Sequence, residues 1–255
     1  MIGPADPPGY DPGEAVPVPE KEVYDVRDVI RAVVDAGRMI EWAPRWARNL
    51  VCGFARMDGR PVGVIANQPK FLGGVLDADS ASKGAKFVRT CNAFGLPLVV
   101  LVDTPGFMPG TRQEKGGVIR HGAKLVHAFA EASVPKVTLV LRKAFGGAFI
   151  AMNSRDLGAD YVFAWPQATL GVMGAKQAVG IVKRRDIAAA DDPEAARDGF
   201  AEAYRDEHLT SAVAAAEGYV DEIVAPSDTR RRLVEALRTL EAVAQPAHGV
   251  RNIPL

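Results

Sequence analysis

The stretch that decides the fold is PKVTLVLRKAFGGAFIAM, residues 135–152. Its first half is a short apolar run that reads as a buried strand, and its second half is an Ala-rich run that reads as a helix. Between them stand two adjacent glycines, Gly146 and Gly147. Two readings of that turn are open. Glycine supplies φ values that other residues resist, so the pair fits a tight strand-to-helix turn with close packing. Equally, such a turn exposes the unpaired N–H groups at a helix start, and those of Gly147 and Ala148 could hold a negatively charged oxygen.

Working outward, strands and helices alternate. LPLVVLVDT (96–104), VPKVTLVLR (134–142) and ADYVFAWP (159–166) read as strands. ASKGAKFVRTCNAFG (81–95), GGVIRHGAKLVHAFAEAS (116–133) and GGAFIAMNSRDLG (146–158) read as helices. ATLGVMGAKQAVGIV (168–182) reads as a short strand running into a helix. Alternation implies crossovers between parallel strands, and nearly continuous apolar strands imply a sheet covered on both faces, hence an α/β fold. Before this block, LVCGFARM (50–57) and RPVGVIAN (60–67) flank an Asp-Gly turn and read as a hairpin. YDVRDVIRAVVDAG (24–37) places Val26, Val29, Ile30, Val33 and Val34 on one helical face. The C-terminal third is helical and ends in SDTRRRLVEALRTLEAVA (227–244), with Ser227 or Asp228 as N-cap and a Leu233, Leu237, Leu240 stripe.

Two domain-level expectations follow. Residues 1–21, rich in Pro, Gly and acid, are expected to form a flexible tail or linker, because prolines remove donors and the rest buries little. Residues 22–255 are expected to form one domain: 255 residues at 48% hydrophobic content support a substantial core. Thirty-one basic and 31 acidic residues cancel, which argues against nucleic acid or an anionic membrane as partner. No apolar stretch is long enough to span a bilayer, and the opening lacks an export-signal pattern. Cys52 and Cys91 sit in apolar contexts without ligand-like spacing, as expected of reduced thiols in a cytoplasmic protein.

Ionisable candidates are weak. His121 and His127 are six apart, a poor match to the i, i+4 spacing of metal ligands, and no Ser-His-Asp pattern appears, so no metal site is expected. Asp103 before TPG is either catalytic or a turn former. GTRQEKGG reads as a solvated loop and Lys176 as a solvated lysine. In open α/β sheets ligands gather beyond the carboxyl ends of strands, which singles out VDTPGFMPGTRQEKGG (102–117) and the glycine turn. A reaction that needs no protein base fits this inventory.

The run VDTPGFMPGTRQEKGGVIRHGAKLVHAFAEASVPKVTLVLRKAFGGAFIAM (102–152), with AWPQATLGVMGAKQAV (164–179), resembles the C-terminal half of the carboxyltransferase β subunit of biotin-dependent acyl-CoA carboxylases, the propionyl-CoA carboxylase type. GFARMDGRPVGVIANQP (53–69) and DSASKGAKFVRTCNAFGLPLVVLVD (79–103) extend the likeness, which runs from YDVRDVI to the closing NIPL. The resemblance implies a crotonase-like fold of repeated ββα units with C-terminal helices. It implies transfer of a carboxyl group from carboxybiotin, carried on a partner protein, to the α-carbon of an acyl-CoA such as propionyl-CoA or acetyl-CoA, with biotin itself taking the α-proton.

By the same resemblance, Gly147 and Ala148 would hold the ureido oxygen of biotin through their N–H groups, while Gly146, Phe149, Ile150, Gly106 and Phe107 shape the pocket. Ile150 stands where propionyl-preferring relatives often carry Asp, so strict propionyl specificity is not implied. Family subunits are about twice this long, with an N-terminal half that binds CoA. The implied partners are therefore that N-terminal half, a biotin carboxylase and a biotin carboxyl carrier, in an oligomer; the family commonly forms hexamers built on dimers. A decarboxylase or transcarboxylase half, or a scaffold that has lost turnover, would share these residues.

Overall fold

The computed structural model describes residues 5–7, 9–19 and 22–241. Its spine is a single eight-stranded sheet. Strands β1 (Met39–Glu41), β2 (Leu50–Met57) and β3 (Arg60–Asn67) form an antiparallel meander. Met57 pairs with Arg60 across Asp58 and Gly59, whose φ angles of 55° and 77° make the two-residue hairpin turn that Asp-Gly favours. From β3 onward pairing is parallel: β4 (Leu98–Thr104), β5 (Lys136–Phe145), β6 (Tyr161–Ala164) and β8 (Glu222–Ile223) follow in order, and β7 (Thr169–Gly171) pairs with the far end of β5.

The continuous apolar strands divide their side chains between two cores, as period-2 geometry requires. Leu98, Val100, Val102, Val140 and Ala144 face one layer, made by α2 (Ala78–Ala93), α4 (Val118–Glu131) and α5 (Gly146–Ala151). Val99, Leu101, Val137, Leu139 and Leu141 face the other, made by α1 (Val26–Val33) and the last described helix, Thr229–Glu241. Val26, Val29, Ile30, Val33 and Val34 are all buried, which matches the periodicity read from the sequence. A short helix, α3 (Thr111–Lys115), precedes α4. Four more, α6 (Ala175–Val182), α7 (Arg184–Ala189), α8 (Pro193–His208) and α9 (Ser211–Ala216), follow β7, and Thr229–Glu241 is α10. Among the described residues no helix is long and apolar enough to cross a membrane.

Three expectations need correction. Residues 9–19 are not a free tail. Pro12–Ala15 form a 3-10 turn, Val16 is buried with α1, and Tyr10 Oη donates to the Asp28 carbonyl at 2.8 Å. A proline-rich strap can lie against the fold because it has few donors to satisfy; Arg142 Nη1 donates to the carbonyls of Pro17 and Pro19 and to that of Glu22 just beyond it, while the Asp11 and Gly13 carbonyls accept from Glu14 and Val16 N–H. The helix expected over 146–158 stops at Ala151. Asn153 takes the left-handed conformation at φ 62° and locks to β5 through Thr138, whose hydroxyl donates to the Asn153 carbonyl at 2.7 Å. Finally, Ser227 and Asp228 lie in a 3-10 turn, Pro226–Asp228, that runs straight into α10. The Leu233, Leu237, Leu240 stripe packs into the second core. Glu20, Lys21 and residues 242–255, including the end of that expected helix and NIPL, lie outside the described residues.

One glycine fixes how the segment before α2 passes beneath the end of β4. Gly74 has φ 79°, and a β-carbon there would lie 2.4 Å from the Asp103 carbonyl oxygen. We expect Gly74→Ala to cost at least about 2 kcal/mol, combining left-handed strain with a backbone overlap. Urea denaturation checks this; a change below about 0.5 kcal/mol would contradict the packing described.

Candidate active site

Two chain segments meet at the carboxyl ends of β4 and β5. The first leaves β4 through Thr104-Pro105-Gly106-Phe107. Gly106, at φ 140°, turns the chain so that its carbonyl accepts from Leu76 N–H at 3.0 Å, while Met108 N–H donates to the Leu76 carbonyl at 2.7 Å. Phe107 is thereby held in a short parallel bridge with Leu76. The second leaves β5 at Phe145, whose backbone is extended, and turns into α5 through Gly146 at φ 62°.

Phe107 joins the two. A β-carbon on Gly147 would sit 3.7 Å from Phe107 Cδ2, and one on Gly122 of α4 would sit 3.0 Å from Phe107 Cζ. The ring therefore occupies the gap between α4 and the start of α5. All seven residues expected at the site lie on these two segments: Gly106 and Phe107 on one, Gly146, Gly147, Ala148, Phe149 and Ile150 on the other. Contact between the segments runs through Phe107 and Gly147.

Gly147 and Ala148 stand in the first turn of α5, where a helix has no i−4 carbonyl for its leading N–H groups, and α5 has no side-chain N-cap. The two are not equally open. Gly147 is exposed, whereas Ala148 is fully buried, with its methyl group in the first core. Phe149 is half-buried and Ile150 is 46% exposed, so a single open polar donor is edged by apolar surface. Such a setting favours a largely apolar ligand with one strong acceptor oxygen.

The ionisable groups are engaged elsewhere. Asp103 is neither exposed nor a turn cap: it is fully buried, accepting from Arg142 Nε at 3.1 Å and Tyr24 Oη at 2.9 Å. Burial raises its pKa, opposed by the charges of Arg142 and Lys143 and by the Tyr24 hydrogen bond. His121 Nδ1 lies 2.7 Å from Ser82 Oγ, and its pKa is lowered by burial and by Lys124 and Arg120. His127 stands 3.8 Å from Glu131. Lys176 forms an ion pair with Asp198. Burial pushes both the Cys52 and Cys91 thiols up to about 12, which leaves them inert. The GTRQEKGG stretch is exposed as expected, although Thr111–Lys115 coils into a helix.

Three contributors were not read from the sequence: Leu76, Gly122 and Val172, whose carbonyl oxygen lies 3.2 Å from where a Gly146 β-carbon would be. Only Gly122 left a signal, a glycine inside a helix that costs stability unless something packs against it.

The profile of the family described as "Carboxyl transferase domain" matches residues 2–252. The methylmalonyl-CoA carboxyltransferase 12S subunit of Propionibacterium freudenreichii is 50% identical over 243 residues, 94% of this chain and 46% of that one. The propionyl-CoA carboxylase beta chain of Saccharopolyspora erythraea is 48% identical over 94% of this chain and 45% of its own. A crystal structure of transcarboxylase 12S, described as a hexamer assembly with methylmalonyl-CoA and methylmalonic acid bound, superposes with a TM-score of 0.92 at 48% identity, over all of this chain and 50% of that one. The fold is crotonase-like, and the chain spans about half the length of the curated relatives it matches.

The two glycines of the turn should respond oppositely to a methyl group. Gly146→Ala is expected to lose about 1–2 kcal/mol, because its backbone is left-handed and the Val172 carbonyl is close. Gly147→Ala should be neutral or gain up to about 1 kcal/mol, since the added methyl meets Phe107 at ordinary contact distance within a helix. Denaturation of the two variants decides; equal losses would mean that the turn is built differently.

Proposed function

The chain belongs to the carboxyl transferase domain family, and from that premise we propose that it forms the biotin-side half of a carboxyltransferase acting on a short-chain acyl-CoA, such as propionyl-CoA or acetyl-CoA. The observation that carries the site assignment is the meeting of Phe107 with Gly147, which puts a main-chain donor of the first turn of α5 beside an aromatic wall. The residues present fit biotin, a neutral urea ring with apolar edges. When bound, biotin supplies the transferable carboxyl group, held on a ureido nitrogen. Gly147 N–H is assigned the outer hydrogen bond to the ureido oxygen. Ala148 N–H, the next donor in the first turn of α5, is assigned the second. Phe107, Phe149 and Ile150 exclude water, and Gly146 and Gly106 set the backbone turns. Donors fixed in the folded chain need not reorganise as negative charge grows on the oxygen they face.

Substrate binding is assigned to a complementary N-terminal half outside these 255 residues, as implied by relatives of twice the length. Biotin reaches the site on a carboxyl carrier protein, loaded by a biotin carboxylase, within an oligomer of the kind described for transcarboxylase 12S. We place the assembly in the cytoplasm, in keeping with two free, buried thiols. A second reading, a transcarboxylase running in either direction, is favoured by the methylmalonyl-CoA carboxyltransferase relative. Assay with methylmalonyl-CoA as donor and free biotin as acceptor separates the two.

The test is reconstitution of this chain with a complementary N-terminal half and a carboxylated carrier, following transfer of label to propionyl-CoA and acetyl-CoA. Transfer is expected only in the complete mixture, and a rate no faster than that without this chain would sink the proposal. Gly147→Val keeps the main-chain N–H but sets a branched side chain beside Phe107 in front of it, and should lower kcat by about 10²–10³-fold with assembly intact, the scale of one blocked oxyanion donor. An unchanged rate would favour the scaffold reading.

A further inference from the structure

The proposed function leaves one buried charge cluster unused. Asp103 and Arg142 are 0% and 4% exposed, and their side chains bond directly across β4 and β5. One carboxylate oxygen takes both Arg142 Nε and Tyr24 Oη; the other, Oδ1, is buried with no hydrogen-bond partner among the described residues. Arg142 Nη1 is held on its far side by the strap carbonyls of Pro17 and Pro19 and by that of Glu22.

The placement of this pair is informative. Asp103 lies three residues before Gly106, and Arg142 lies four before Gly146. Between them the β4–β5 ladder is irregular: Val102 pairs with Val140, but Thr104 pairs with Ala144. One residue of β4 therefore faces three of β5, so the regular backbone ladder is broken where the two site segments are about to diverge. Carboxylate and guanidinium supply a directional link at that break, which apolar contacts cannot.

Resting on the reading of the two segments as one site, we propose that Asp103 and Arg142 are positioning residues that set the offset between the 104–108 loop and the 145–150 turn. They touch neither segment's open face. They act by fixing where Phe107 stands relative to Gly147.

The test uses the complete assembly, with its N-terminal half and carrier, and two readouts. In Arg142→Met and in Asp103→Asn, kcat should fall about 10²-fold while KM for acyl-CoA stays within twofold, the penalty expected for misplacement without lost binding. Amide hydrogen exchange should rise together, by about tenfold, at Met108, which donates to the Leu76 carbonyl beside the first segment, and at Met152, which donates to the Ala148 carbonyl beside the second. Arg142→Lys, which keeps the charge, should recover part of both. The control is Arg230→Met, which breaks a similar pair far from the site, Arg230 Nη2 to Asp35 Oδ1 at 2.6 Å. It should lower the melting temperature comparably and move neither readout. Unchanged exchange at either segment in Arg142→Met overturns the proposal, as does an equal change in Arg230→Met. If Arg142→Met fails to fold, Asp103→Asn decides by the same criteria. A wild-type assembly that transfers nothing, with exchange responding as described, would refute the carboxyltransfer reading and leave the positioning role standing.

Discussion

The parallel pairing of β4 with β5 is the constraint on which the rest of the molecule depends. Val99 through Val102 pair in register with Val137 through Val140, and both strands release the chain at the same edge. Because each strand is buried on both faces, neither can offer chemistry along its length; only the ends are free to do so. A crossover helix, α4, must bridge the two strands, and its Gly122 leaves the hollow that takes the Phe107 ring. The site is thus a by-product of strand direction, helix crossover and one missing side chain.

Much of this was legible in the chain. The alternation of apolar runs and amphipathic runs gave the strand and helix order, since periodicity is a local property. The glycine pair at 146–147 announced a turn, and the structure gives the first a positive φ and leaves the second exposed. What stayed hidden is what depends on distant partners. Residues 9–19 read as a tail because proline and acid bury little by themselves. Arg142, more than a hundred residues away, donates to the Pro17 and Pro19 carbonyls and holds the strap against the fold. Lysine is a residue type rarely buried unless paired, and nothing around Lys83 in α2 marks it for the interior. It is fully buried, with Nζ donating to the carbonyls of Trp46, Ala47 and Leu50. The early stop after Ala151 depends on Thr138, and the support of Phe107 depends on Leu76. No local pattern encodes such pairings.

A site made of backbone amides places its demands differently from one made of side chains. A catalytic histidine or carboxylate brings its own chemistry and can be tuned by rotating about its χ angles. An amide donor has no such freedom: its direction is that of the chain, so accuracy must come from whatever holds the chain. On the proposed assignment that burden falls on Gly146, which sets the turn, on the Leu76 bridge, which sets Phe107, and on the buried polar groups behind the sheet ends.

This bears on why a charged pair lies inside an apolar layer at all. Replacing a buried ion pair with packed hydrocarbon is often neutral or stabilising, so stability alone does not account for Asp103 and Arg142. Their carboxylate is left with one oxygen unmatched, a further cost that leucine and methionine would avoid. Hydrocarbon packing is tolerant of small slides between neighbours, whereas a guanidinium meeting a carboxylate has a preferred line of approach. At a break in the β4–β5 ladder, tolerance is the wrong property. A directional contact that costs stability but forbids sliding is the arrangement that a backbone-donor site, with no adjustable side chain of its own, requires.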